Sequence, residues 1–176
     1  DGGDMEIKGL TAPLFGTTAA IIKNVKLVDV AIVETERIIS GAIACQLNEG
    51  SLDNCSTAGT FEVNNTTYAA TGTDHGIRCI GCMVGKVVDS PITNCVNDID
   101  LTLTSIHQEV KSNTDYDFAG IVGYVGNTTV QNYSNLRNNG DILYNLAKPG
   151  TRVRAAVSGV VGYSSNANYT KIYNYG

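Results

Sequence analysis

The chain repeats itself, and the repetition narrows the folds open to it more than any other feature. Short apolar segments recur as "PLFGTT" from Pro13, "AIACQL" from Ala42, "CMVGKV" from Cys82, "GIVGYV" from Gly120 and "GVVGYS" from Gly159. Their fourth residues are Gly16, Cys45, Gly85, Gly123 and Gly162, separated by 29, 40, 38 and 39 residues. A second segment follows each: "IIKNV", "SLDNC", "PITNC", "TVQNY" and "KIYNY". These align on Asn24, Asn54, Asn94, Asn132 and Asn174, each two residues after an aliphatic one. The step from first marker to asparagine is 8, 9, 9, 9 and 12 residues. Two markers in register through five copies are not a coincidence of composition.

A third strand-like stretch follows in most copies ("KLVDVAIV", "GTFEV", "IDLTLTS", "GDILYNL"), and then a connector of variable length. The unit is therefore three short strands and a loop, about forty residues long. Its strands are β-branched and partly alternating, and no helical period accompanies them. Such a unit buries its apolar face only against its neighbours, as in a solenoid. A propeller blade has a similar period, but it needs four antiparallel strands. The 29-residue first interval is short for that, and the extra residues of later copies all fall in the connector. The expected fold is all-β: a right-handed parallel β-helix of about five coils, with loop insertions at one edge.

Composition agrees. Charged residues are 16% of the chain, while Asn, Thr and Gly number 17, 18 and 19. Small polar residues and glycine suit stacked strands and tight turns better than helices. The net charge of −5 and the lack of a basic stripe exclude a nucleic-acid partner. No apolar run approaches the length that crosses a bilayer as a helix. Residues 1–176 read as one domain, and the opening "DGGDMEIKGL" reads as the tail of an interrupted unit, so a fragment of a longer protein is expected.

In stacked coils the recurrent asparagines Asn24, Asn54, Asn94, Asn132 and Asn174 are expected to form one structural ladder with buried amides. The residue after each is Val25, Cys55, Cys95, Tyr133 and Tyr175, which should stack as well. Cys55 and Cys95 then share one interior column as small hydrophobes. A disulfide between them is disfavoured because in-register side chains point the same way. The five cysteines are expected to be reduced and mostly buried.

The units "GIVGYV…TVQNYSN", "CMVGKV…PITNCVN" and "GVVGYS…KIYNYG" resemble the GLUG-type repeat of bacterial secreted and surface proteins. The resemblance covers nearly the whole chain. It implies a right-handed parallel β-helix in an exported, often adhesin-like protein, located outside the cell or on its surface. Some members carry such repeats ahead of a peptidase domain. Cys45 departs from the pattern, which has glycine there.

Catalytic and cofactor chemistry finds little footing. Cys79 and Cys82 form a CxxC with His75 nearby, but there is no second CxxC, and core cysteines account for them better than zinc. Asp74, Asp115, Asp117, Arg152 and Arg154 are the charges a polysaccharide-cleaving β-helix would need on one face; all read as connector residues. No catalytic residue, metal site or cofactor is assigned. Insertions 64–80, 104–118 and 145–157 should meet at one edge, bringing together Tyr68, His75, Arg78, His107, Tyr116, Arg152 and Arg154 as a ligand edge. The function expected is a non-catalytic scaffold or adhesin-like module whose partner is a host or cell-surface protein or glycan. The alternatives are a polysaccharide-binding or polysaccharide-active β-helix, or the repeat region of a secreted peptidase.

Overall fold

The computed structural model describes residues 1–3, 5–36, 39–64, 78–104, 115–145 and 154–176. Among them there is no helix. The first copy holds β1 (Glu6–Lys8), β2 (Phe15–Thr18), β3 (Ile21–Lys23) and β4 (Lys26–Glu34). The second holds β5 (Ile39–Ser40), β6 (Ala44–Asn48), β7 (Ser51–Asp53) and β8 (Ser56–Asn64). The third holds β9 (Arg78–Gly81), β10 (Val84–Val88) and β11 (Ile92–Thr104). Then come β12 (Asp115–Ala119), β13 (Val122–Asn138) and β14 (Ile142–Asn145), and finally β15 (Arg154–Ser158) and β16 (Val161–Asn174).

Every strand pairing is parallel and joins equivalent segments of successive copies. An antiparallel blade arrangement is thereby ruled out for these residues. Two sheets result, one of twelve strands and one of four, the latter ordered β15-β12-β9-β5. The four-stranded sheet was not expected. It is made from residues that the sequence assigned to connectors, so the unit has one more strand than its apolar pattern displays.

The core is a set of columns, one side chain per copy. Ile22, Leu52, Ile92 and Tyr133 stack in one, with Tyr169 above. Val25, Cys55, Cys95, Leu136 and Ile172 form the next. Ile32, Phe61, Leu101 and Ile142 form a third. Leu52, Ile92, Cys95, Phe61, Leu101, Tyr133 and Leu136 are all within 1–2% of complete burial. Truncating one such large side chain typically costs about 3–5 kcal/mol, so these columns carry most of the packing energy.

The recurrent motif glycine has a direct cause. At Gly85 a Cβ would lie 2.6 Å from the backbone nitrogen of Ser40, and at Gly123 it would lie 2.6 Å from that of Ile80. The two sheets approach backbone to backbone here, where no side chain fits. At Gly16 nothing lies within 4 Å, and the described part of the four-stranded sheet begins only at β5. The first copies therefore lack the constraint, and position 45 holds a cysteine.

The asparagine ladder needs correction. Asn24, Asn54 and Asn94 do stack, but Asn54 and Asn94 are exposed and Asn24 is half-buried, and the fourth member is Asn135, followed by Lys171. All five residues have left-handed backbone, with φ of 54, 51, 55, 53 and 54°. That is the corner between successive strands, and asparagine tolerates it better than other residues with a Cβ. Side chains at such a corner project outward, hence the exposure. Asn54 Nδ2 donates to Asn24 Oδ1 at 2.7 Å, and Asn135 Nδ2 to Asn94 Oδ1 at 3.0 Å. Asn132 pairs with Asn168 instead, and Asn174 with Asn138.

A second ladder, inside the core, contains Asn174. Thr57 Oγ1 donates to Asn97 Oδ1 at 2.7 Å, Asn97 Nδ2 to Asn138 Oδ1 at 2.7 Å, and Asn138 Nδ2 to Asn174 Oδ1 at 2.9 Å. Thr57, Asn97 and Asn138 are fully buried. Each amide also turns back on its own strand, from Asn97 to the carbonyl of Ile99 and from Asn138 to that of Gly140. The residue facing each of these asparagines is small to leave room. A Cβ at Gly120 would strike the Asn138 side chain, and one at Gly159 would strike that of Asn174. In the third copy the equivalent residue is Cys82, which is bonded to Asn97.

Candidate functional site

Of the seven residues nominated as a ligand edge, Tyr68, His75, His107 and Arg152 lie outside the described residues. Arg78 and Tyr116 do come together, but as register partners in β9 and β12. They are only 2% and 3% exposed. Neither belongs to a loop, and neither is presented to a ligand at the surface. Arg154 begins β15, paired with Asp115 of β12. Asp117 lies in the same strand and is buried. The acidic and basic residues considered for polysaccharide cleavage are thus partly strand residues, while Asp74 lies outside the described residues.

The CxxC cysteines part company at the turn between β9 and β10. Cys82 faces the inner ladder and donates weakly to the carbonyl of Ile99 at 3.9 Å. Cys79 pairs in register with Ile39 and Asp117. Burial first, and the Asp117 carboxylate second, push the Cys79 thiol up to about 12; burial raises Cys82 further still. Thiols held protonated in this way are poor nucleophiles and poor metal ligands. No group of three or more His, Cys, Asp or Glu is placed to hold a metal ion among the described residues. None of the five cysteines is in a disulfide, and Cys55 and Cys95 occupy neighbouring rungs of one column as expected.

The surface chemistry lies on a column that sequence reasoning passed over. In register, Thr17, Gln46, Lys86, Tyr124 and Tyr163 stand above one another on the second strand of each copy. The Lys86 ammonium lies 5.5 Å from the centre of the Tyr124 ring. Tyr163 stacks on Tyr124 with centroids 5.1 Å apart and planes 11° from parallel. Strand spacing in a parallel sheet is about 4.8 Å, so identical residues in register stack their rings without strain. Burial raises the Tyr124 hydroxyl, and the neighbouring Tyr163, Cys79 and Asp117 add to the shift. Tyr163 itself is 49% exposed. A half-exposed flat ring, backed by a second ring and a cation, offers a stacking face and hydrogen-bonding hydroxyls. The signal was present in the sequence: the residue after the motif glycine is Tyr124 in "GIVGYV" and Tyr163 in "GVVGYS".

A scan of known protein-family models gives no match to this chain, and a search of curated proteins gives none. No helix among the described residues is long and apolar enough to cross a membrane.

Proposed function

We propose that this chain is a stretch of right-handed parallel β-helix of the GLUG-repeat kind, acting outside the cell as a non-catalytic scaffold or adhesin-like binding module. The observation that carries this reading is the division of labour among its polar residues. Amides, thiols, Arg78 and Tyr116 are built into the rungs, whereas the exposed chemistry forms a flat repeating column ending at Tyr163. A stack of in-register rungs is a spacer that displays the same outward position every 4.8 Å or so.

Polysaccharide binding is a second reading, and the Lys86–Tyr124–Tyr163 column favours it, since sugar rings stack on exposed aromatic faces. One experiment addresses both. The purified chain and its Tyr163→Ala variant are applied to arrays of surface glycans and immobilised extracellular proteins, and soluble polysaccharides are followed for release of oligosaccharides. Retention of an array ligand by the native chain and its loss in the variant support a binding module working through this column. Release of oligosaccharides replaces it with an enzyme.

A further inference from the structure

We infer that Cys55 and Cys95 are a redox-modification site, which a small hydroperoxide converts to a disulfide that bolts the second copy to the third. The inference does not depend on the tyrosine column.

The sequence motif marks a different pair. Cys79 and Cys82 have the CxxC spacing of redox sites, but Cys79 lies in β9 beside Asp117, and Cys82 lies past the end of that strand, bonded to Asn97. Cys55 and Cys95 are 40 residues apart in the chain, yet they occupy neighbouring rungs of one core column. Main-chain bonds hold these rungs together on both sides of the pair. The Asn54 amide donates to the Thr93 carbonyl at 3.1 Å, and the Val96 amide to the Cys55 carbonyl at 3.0 Å. Each thiol reaches back to the carbonyl two residues before it, Asp53 at 3.3 Å and Thr93 at 3.1 Å, so the two side chains share one orientation. They also touch, the Cys95 thiol donating a hydrogen bond to the Cys55 sulfur. The column continues into Val25 and Leu136, so each sulfur meets hydrocarbon on its other side.

The contact assigns the roles. That hydrogen bond is the largest influence on the Cys55 thiol and lowers its pKa, while burial opposes it. The same contact first, and burial second, hold the Cys95 thiol well above its ordinary value. Cys55 is therefore the attacking sulfur and Cys95 the resolving one. Cys55 is only 2% exposed and Cys95 is fully buried, so the oxidant has to be small, and hydrogen peroxide is close to water in size. The Cys55 thiolate attacks one peroxide oxygen and the O–O bond breaks, leaving a sulfenic acid. The hydroxide released takes up the proton that Cys55 gave, forming water. The Cys95 sulfur then displaces the sulfenic oxygen: the S–S bond forms, the S–O bond breaks, and the Cys95 proton leaves in a second water. Two thiols and one peroxide give one disulfide and two waters. Rungs in register stand about 4.8 Å apart, beyond the Cβ separation of about 3.5–4.5 Å that a disulfide prefers. Closure has to draw the rungs together, which makes the bond easy to reduce and the bolt reversible.

The test uses native protein in the thiol form. It is given a small excess of hydrogen peroxide, quenched with catalase, then denatured, alkylated without reductant and digested for mass spectrometry. A Cys55–Cys95 linked peptide should appear, lighter by two hydrogens than the two thiol peptides together, and dithiothreitol should abolish it. The link should be lost in Cys55→Ala and kept in Cys79→Ala. It should raise the midpoint of urea unfolding by about half a molar. Cys45, whose neighbours in register are Gly16 and Gly85, should be trapped by dimedone as a sulfenic acid. Chain oxidised while unfolded in urea should instead close Cys79–Cys82, the far shorter loop. The mapping on the native chain decides the matter even if a variant fails to fold. Oxidation of Cys45 with no Cys55–Cys95 link overturns the proposal, as does the same pattern of links in native and unfolded chain. A link that leaves the urea midpoint unchanged overturns the bolt.

Discussion

Replacing Asn97 with leucine separates the inner amide ladder from the rest of the core. Asn97 Oδ1 accepts from the Thr57 hydroxyl at 2.7 Å and from the Ile99 amide at 3.3 Å, while Nδ2 donates to the Ile99 carbonyl at 3.2 Å and to Asn138 Oδ1 at 2.7 Å. Leucine is close in volume and adds apolar burial worth about 1.5–3 kcal/mol. It also strands Thr57 Oγ1 and Asn138 Oδ1 in a fully buried site, and each stranded group costs about 1–3 kcal/mol. With the lost bonds to Ile99 included, the net destabilisation should be about 2–4 kcal/mol. That is a large share of the roughly 5–15 kcal/mol that holds a domain together. The assay is urea unfolding followed by circular dichroism, with Asn94→Leu as the matched control. Asn94 is an exposed corner residue, and leucine there should cost the left-handed backbone penalty of about 1–2 kcal/mol and little more, because its bonds to Asp53 and Asn135 are made at the exposed surface, where water replaces them. Thr57→Val should recover part of the Asn97→Leu loss, because valine has no hydroxyl to satisfy. If Asn97→Leu costs no more than Asn94→Leu, the ladder does not support the core and the reasoning fails.

The remaining predictions concern the corner, the glycine contact and the thiols. Asp53 accepts from Thr93 Oγ1 at 2.6 Å and Asn94 Nδ2 at 2.8 Å, and these bonds lower its pKa, that of Thr93 most. Its folded pKa lies below its unfolded value, so the stability it adds is present above about pH 4 and falls away as the pH drops through the folded pKa; Asp53→Asn should flatten the acid limb of a stability-against-pH curve. Gly123→Ala drives a Cβ to 2.6 Å from the Ile80 nitrogen and 2.8 Å from the Gly85 oxygen, both backbone atoms. It should destabilise by about 1–3 kcal/mol or more, whereas Gly16→Ala, with open space around it, should be near neutral in the same unfolding assay. In native protein at pH 8, iodoacetamide should label Cys45, the one partly exposed thiol, well before Cys79, Cys82, Cys55 and Cys95; mass spectrometry should find all five alkylated after denaturation without reductant.

The repeat was legible in the sequence because stacked copies must present the same side chain at the same place. Ile22, Leu52 and Ile92, and after them Val25, Cys55 and Cys95, fall in the columns that the motif alignment assigns. The alignment failed in the fourth copy for a local reason. Val87 pairs with Val125, an offset of 38, but Ile92 pairs with Tyr133, an offset of 41. Three residues are extra, and Thr128–Val130 stand out from the stack, with the Thr128 and Thr129 amides donating to Asp89 at 2.8 and 3.0 Å. Val130 is 60% exposed, so matching it to the buried Ile92 displaced the ladder from Asn135 to Asn132. A short apolar-x-Asn motif does not record whether its apolar residue points inward.

Sequence alone determined the repeat, the column-forming positions of the first three copies and the core place of Cys55 and Cys95, since periodicity, β-branched content and in-register thiols are local properties of the chain; in the last two copies Leu136 and Ile172, not Tyr133 and Tyr175, continue the cysteine column. Three matters were left to the tertiary structure. The strands β9 and β15 lack a simple apolar alternation, and pairing with β12 and the close approach of Ile80 and Asp117 to Gly123 place them in a sheet. Arg78 and Tyr116 look like loop chemistry until that sheet buries them. Asn97 and Asn138 look like surface residues until successive copies pair in register. An asparagine's side is decided by which face of the sheet its strand presents, and its burial is tolerable only because the next copy supplies the amide that completes it.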